Sequence, residues 1–148
     1  MSERKRVLAS GVFDLIHYGH LRFLEEAKRL GGKGAELIVV VARDSTVRRL
    51  KGQDPILPED ERLAIVEGLK PVDKAFLGHE ELNISEVIET YKPDIIALGY
   101  DQHEIAGKVR AAIEEGGYRI KVVTIPKFGR GDLNSSSKIK RRIIDNLR

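Results

Sequence analysis

Gly11-Val12-Phe13-Asp14-Leu15-Ile16-His17-Tyr18-Gly19-His20 holds the side chains of this sequence best suited to chemistry: two imidazoles three positions apart, with a glycine between them. The stretch follows an apolar run, Arg6 to Ser10, and leads into an amphipathic segment, Leu21 to Leu30, so it reads as strand, tight turn and helix start. Imidazoles so spaced lie on one side of the first helical turn, where free backbone N–H groups and the positive dipole end favour an anion. The chemistry this allows is phosphate binding and transfer. Gly19 has no Cβ, which lets a phosphate or a nucleobase approach the backbone without steric penalty. Two satisfied histidines in a surface turn would show the same spacing, so the elements around them have to decide.

Composition bounds the answer. A chain of 148 residues is long enough for one domain, 1–148, with a real core. Apolar residues at 41% and charged residues at 33% exclude disordered and fibrous classes. The net charge of +3, from 26 basic and 23 acidic side chains, speaks against a dedicated nucleic-acid binder and suits small anionic substrates. With no cysteine there is no disulfide, thiolate metal site or Cys nucleophile. The longest apolar run, Leu37 to Ala42, is too short for a bilayer, and the N-terminus lacks an apolar signal region, so the expected location is the cytoplasm.

The positioning elements follow in order. Glu36 to Ala42 is a continuous β-branched run, the mark of a strand buried on both faces. Arg43 to Gln53 is mixed and basic with no assigned element, and Pro58-Glu59-Asp60-Glu61 opens a helix. A strand at Lys74 to Leu77, a helix at Ile84 to Tyr91, a strand at Asp94 to Gly99, a helix at His103 to Glu115 and a last strand at Lys121 to Ile125 come next. From Ser137 the tail reads as a docked amphipathic helix, with Ile139, Ile143, Ile144 and Leu147 on one face. Strands alternate with helices, so the expected fold is α/β, a doubly wound, Rossmann-like parallel sheet of five strands ordered 3-2-1-4-5. In that order ligands bind outside the carboxyl ends of strands 1 and 4. The turn holding His17 and His20 should therefore face Gly99-Tyr100-Asp101-Gln102, with Lys127 to Ser137 beside them.

Those further turns are also chemical. Arg130 precedes Ser135, Ser136 and Ser137 at a helix start, where hydroxyls cap the helix and, with freed N–H groups and a bidentate arginine, can hold a pyrophosphate. Asp101 reads, from the residues alone, as part of a strand-end turn and a cap for the next helix. Lys51 and Arg62 are equally readable as a solvated loop charge and a helix-face ion pair. Tyr18, Tyr100 and Phe128 supply flat apolar surface in the three converging turns.

By residue types and context, the Gly11 to His20 stretch resembles the signature of the HxGH nucleotidyltransferase superfamily, whose small members transfer AMP or CMP to phosphate-bearing acceptors. Arg130 and the three serines resemble a second motif of its cytidylyltransferase-like families. Val41 to Gly52, Pro58 to Arg62, Leu69 to Ala75 and Lys92 to Gln102 look most like archaeal FAD synthases. Glycerol-3-phosphate cytidylyltransferase is the rival, since Gly129-Arg130-Gly131-Asp132 stands where the former often carry cysteines.

The resemblance implies a nucleotidyltransferase that adenylylates FMN with ATP, with a divalent cation such as Mg2+ accompanying the triphosphate. A homodimer is expected because strand edges and helix surfaces of such small domains often pair, and neither a nucleic-acid nor a membrane partner is expected. It implies that His17, His20, Lys51 and Arg130 carry catalysis. Nucleotide contacts would come from Val12, Phe13, Tyr18, Gly19, Asp101, Phe128, Ser135, Ser136 and Ser137 as well as from His17, His20 and Arg130. Asp14, Lys51, Arg62 and Tyr100 would meet the acceptor. No pair of carboxylates is spaced as a metal site. The other readings open at this point are a cytidylyltransferase for a phospho-alcohol and a non-catalytic nucleotide sensor.

Overall fold

The computed structural model describes residues 4–81, 83–128 and 135–147. Its elements run β1 (Arg6–Gly11), α1 (Tyr18–Leu30), β2 (Glu36–Val41), α2 (Asp44–Lys51), α3 (Glu59–Glu67), β3 (Lys74–Leu77), α4 (Ile84–Tyr91), β4 (Ile95–Gly99), α5 (His103–Gly116), β5 (Lys121–Ile125) and α6 (Ser136–Asn146). The strands form one parallel sheet ordered β3-β2-β1-β4-β5, as expected. Order reverses between β1 and β4, whose pairing ends at Ala9 and Ala97, and in sheets of this order ligands bind in a crevice at that point.

Alternation along each strand divides the core. Val7, Ala9, Leu37, Val39, Val41 and Ala97 point to one face, where Leu24 and Ala27 of α1 and Val66 of α3 cover them. Leu8, Ile38, Ile96 and Leu98 point to the other, under Ile88 of α4 and Ala106 and Val109 of α5. Both faces are buried, so neighbouring positions of a strand are apolar alike.

Two elements differ from the sequence reading. The basic stretch after β2 is helical from Asp44 to Lys51. Its first N–H groups are served from outside: Glu59 of α3 accepts from the Asp44 amide at 2.9 Å and pairs with Arg43. A local signal existed in Gly52, which ends α2 in the left-handed region at φ 74°, behind a basic last turn. The second difference is α6. It buries no residue, and Ile143, Ile144 and Leu147, the last 83% exposed, line its open side. The helix is tied down through its first turn rather than docked along its stripe.

Candidate active site

The turn after β1 is strained and held. Phe13 and Leu15 have φ of 55° and 53°, a region that costs a side-chain-bearing residue about 1–3 kcal/mol. Contacts from four places offset that cost. The Phe13 ring is buried in the core beneath Gly11, where a Cβ would lie 2.9 Å from it. The Asp14 carboxylate accepts from the amides of Ile56 at 2.7 Å and Leu57 at 3.0 Å. Arg62 donates to the Val12 carbonyl at 2.8 Å, and the Ser136 hydroxyl at the start of α6 donates to the Asp14 carbonyl.

This held turn delivers the two imidazoles. His17 is the N-cap of α1, and its Nδ1 accepts from the Gly19 amide at 3.0 Å. The Nδ1 of His20 accepts in return from the His17 amide at 3.2 Å, closing a capping box. A ring nitrogen that accepts carries no proton, so each neutral ring has its hydrogen on Nε2. The rings lie 3.9 Å apart between centroids, which places two Nε2–H donors close together at the helix N-terminus.

Electrostatics keeps them neutral. Burial, then the charge of Lys127, lowers the pKa of His17. Burial, then His17 and Lys51, lowers that of His20 to about 4, against a smaller opposing effect of Asp14. A prediction follows for stability. The unfolded chain takes up a proton on His20 near pH 6.5 while the folded chain does not until about pH 4. Between those values the unfolded state binds more protons, so stability falls as pH falls, by at most about 3 kcal/mol from this group. Urea unfolding at a series of pH values should show a shallower fall in His20→Gln than in the wild-type protein; parallel curves would contradict it.

The opposite wall comes from the turn after β4. Gln102 spans the switch point: its Oε1 accepts from the Gly99 amide at 2.7 Å and its Nε2 donates to the Ser10 carbonyl of β1 at 3.3 Å. The two turns thus stand side by side, with Tyr100 and Asp101 exposed next to Gln102. Gln102, not Asp101, occupies the N-cap of α5, which makes no side-chain cap bond there. The segment after β5 closes the group. A Cβ on Gly19 would lie 2.8 Å from the His17 ring and 3.0 Å from the Phe128 carbonyl, and Arg22 stacks over the Phe128 ring at 5.2 Å. Gly19 is thus required by the protein's own packing and not only by an incoming ligand.

Not every predicted residue reaches the crevice. Arg62 is 0% exposed; it donates to the carbonyls of Leu57, Val12 and Ala42 at 2.9, 2.8 and 2.7 Å and pairs with Asp44 at 2.6 Å. A guanidinium so engaged has no face for an acceptor. The Asp14 carboxylate likewise turns inward, and the Phe13 ring belongs to the core. Ser135 caps α6 by accepting from the Lys138 amide, and Ser136 spends its proton on Asp14, leaving Ser137 exposed at the first turn. Tyr18, 62% exposed, opens outward at the start of α1. Arg130 lies outside the described residues. Lys127 and Gln102 were not singled out from sequence, although both stand at the carboxyl ends that the strand order marks.

A pair of Nε2–H donors on a helix N-terminus, at the switch point of a 3-2-1-4-5 sheet, forms a candidate phosphate-binding site. The chain belongs to the cytidylyltransferase-like family, whose model matches residues 8–142. It is 50% identical to the FAD synthase of Methanopyrus kandleri over 95% of this chain and 93% of that protein. The FAD synthase of Aciduliprofundum boonei is 49% identical over 96% of this chain and 92% of its own length. Among solved structures, the lipopolysaccharide core biosynthesis protein of Thermoplasma volcanium superposes with a TM-score of 0.77 at 46% identity, over 86% of this chain and 100% of that one.

Proposed function

We propose that the protein transfers AMP from ATP to the phosphate of FMN, giving FAD and pyrophosphate. The reaction class rests on the paired Nε2–H donors. The choice of ATP and FMN rests on relatives named FAD synthase that share half of their residues with this chain along nearly its whole length.

An oxygen of the FMN phosphate attacks the α-phosphorus of ATP. The new P–O bond forms as the bond to the bridging oxygen breaks, and pyrophosphate leaves with the electron pair. The acceptor phosphate, with a second pKa of about 6, is already largely dianionic near neutral pH, so no general base is required. Positioning and charge stabilisation carry the rate. His17 and His20, neutral donors, hold the transferred and bridging phosphate oxygens without proton exchange. Ser137, Arg130 and the first-turn N–H groups of α6 meet the leaving pyrophosphate. Lys51, whose charge is felt at His20, serves the acceptor phosphate. Tyr100, exposed in the turn after β4, offers a ring face to flavin or adenine.

No cluster of three or more His, Cys, Asp or Glu side chains fit to hold a metal ion occurs among the described residues. The carboxylates of Asp14 and Asp44 are committed to amides and to Arg62. A divalent cation accompanying ATP would be held chiefly by the triphosphate oxygens. No helix among the described residues is long and apolar enough to cross a membrane, and ATP and FMN as substrates fit the cytoplasm. The exposed stripe of Ile143, Ile144 and Leu147 supports a homodimer, which a monomeric mass in sedimentation equilibrium would refute.

The test sets FMN against glycerol 3-phosphate, each with ATP and with CTP, and reads products by mass. FAD from ATP and FMN is expected. CDP-glycerol without FAD would reassign the substrates, and ATP binding without pyrophosphate in any arm would leave a sensor.

A further inference from the structure

Withdrawal of Arg62 into the core leaves the crevice one cation short of what the sequence offers the bound phosphates. The fold supplies another. β5 ends at Ile125, and after Pro126 the chain brings Lys127 to the carboxyl end of the sheet beside β4. Its neighbour Phe128 lies against the first turn of α1, with its carbonyl at Gly19 and its ring under Arg22. The Lys127 backbone is thereby anchored next to His17. Its ammonium stands 5.0 Å from the centroid of the Tyr100 ring, in the turn after β4. Among the described residues no carboxylate lies within ion-pair distance of it.

We propose that Lys127 is a triphosphate-binding residue, gripping the leaving pyrophosphate on the His17 side of the crevice. This rests on the nucleotidyl-transfer reading above. An ammonium held, among the described residues, by an aromatic face alone keeps its three donors for an anion, and its flexible stem lets it swing from the ring to the phosphates. Lys127 also precedes the start of α6 in sequence, whose first-turn N–H groups favour the same anion. Lys51, reached by a different strand end, has its charge felt at His20, whereas that of Lys127 is felt at His17. Each imidazole thus has a lysine near enough to act on its titration.

Three measurements on Lys127→Gln test this. The KM for ATP should rise about tenfold with a fall in kcat while the KM for FMN stays put, and Lys127→Arg should recover most of the loss. Titration with a non-hydrolysable ATP analogue should show the same weakening. The His17 ring, followed by NMR, should titrate at higher pH in Lys127→Gln, with His20 unmoved. Wild-type affinity for the analogue, an unmoved His17 titration, or a loss confined to FMN would each overturn the assignment. Should the wild-type protein make no FAD, the analogue titration still judges Lys127, because it reads triphosphate binding alone.

Discussion

His17→Asn should keep the cap on α1 and yet lose about two orders of magnitude in turnover, and His20→Ala should lose at least as much. His17 performs two tasks with two nitrogens. Its Nδ1 accepts from the Gly19 amide, a bond an asparagine oxygen can replace, since Asn is among the best N-cap residues. Its Nε2–H points away from the helix and has no counterpart in asparagine. The variant therefore separates holding the helix from holding the phosphate. His20→Ala removes a donor and half of the capping box, so a stability loss of about 1 kcal/mol should accompany its loss of rate. Because the donors act on charge that develops as pyrophosphate leaves, kcat and kcat/KM should fall together. Turnover near wild type in both variants would remove the imidazoles from the reaction.

Arg62→Met should destabilise the protein by about 3–5 kcal/mol, the usual consequence of removing one partner from a buried charged network. Asp44 and the carbonyls of Val12, Ala42 and Leu57 would lose their donor, and the strained turn carrying the histidines would lose one of its holds. For a chain of 148 residues this corresponds to a fall in Tm of roughly 10 °C. Arg62→Lys should not rescue it, because a single ammonium cannot span acceptors on three segments. An arginine bound to substrate phosphate would behave in the opposite way, with weaker acceptor binding and an unchanged melt. Calorimetry beside FMN saturation curves separates the two, and a wild-type Tm in Arg62→Met would restore the phosphate role.

Local patterns were enough for the sheet and for where its ligand end lies. The β-branched run of β2, the Gly116-Gly117 pair that ends α5 and the change of period from strand to helix are contacts of near neighbours, which a sequence displays directly. The His17 and His20 pair was legible for the same reason: a capping box closes within four residues. Less local features misled. Basic α2 offered no apolar run to mark it, and its cap comes from Glu59, 15 positions on. The apolar stripe of α6 suggested docking, but periodicity does not say whether a face finds a partner.

The division of labour within the site was decided by tertiary structure alone. Arg62 and Asp14 looked like phosphate and acceptor contacts, yet each closes bonds across 50 and 42 positions to hold the turn in place. Ser136 crosses 122 positions to the same turn, and Gln102 crosses 92 to join β4 to β1. An arginine has the same donors whether it meets a phosphate or three carbonyls, so residue type cannot distinguish a binding group from a buried support. By itself the sequence determined the strand order, the imidazole pair and the chemistry it can do. Which charged residues remain free for a ligand depended on chain segments far apart in sequence meeting in the fold, where burial costs a charge its water unless the surrounding groups replace it.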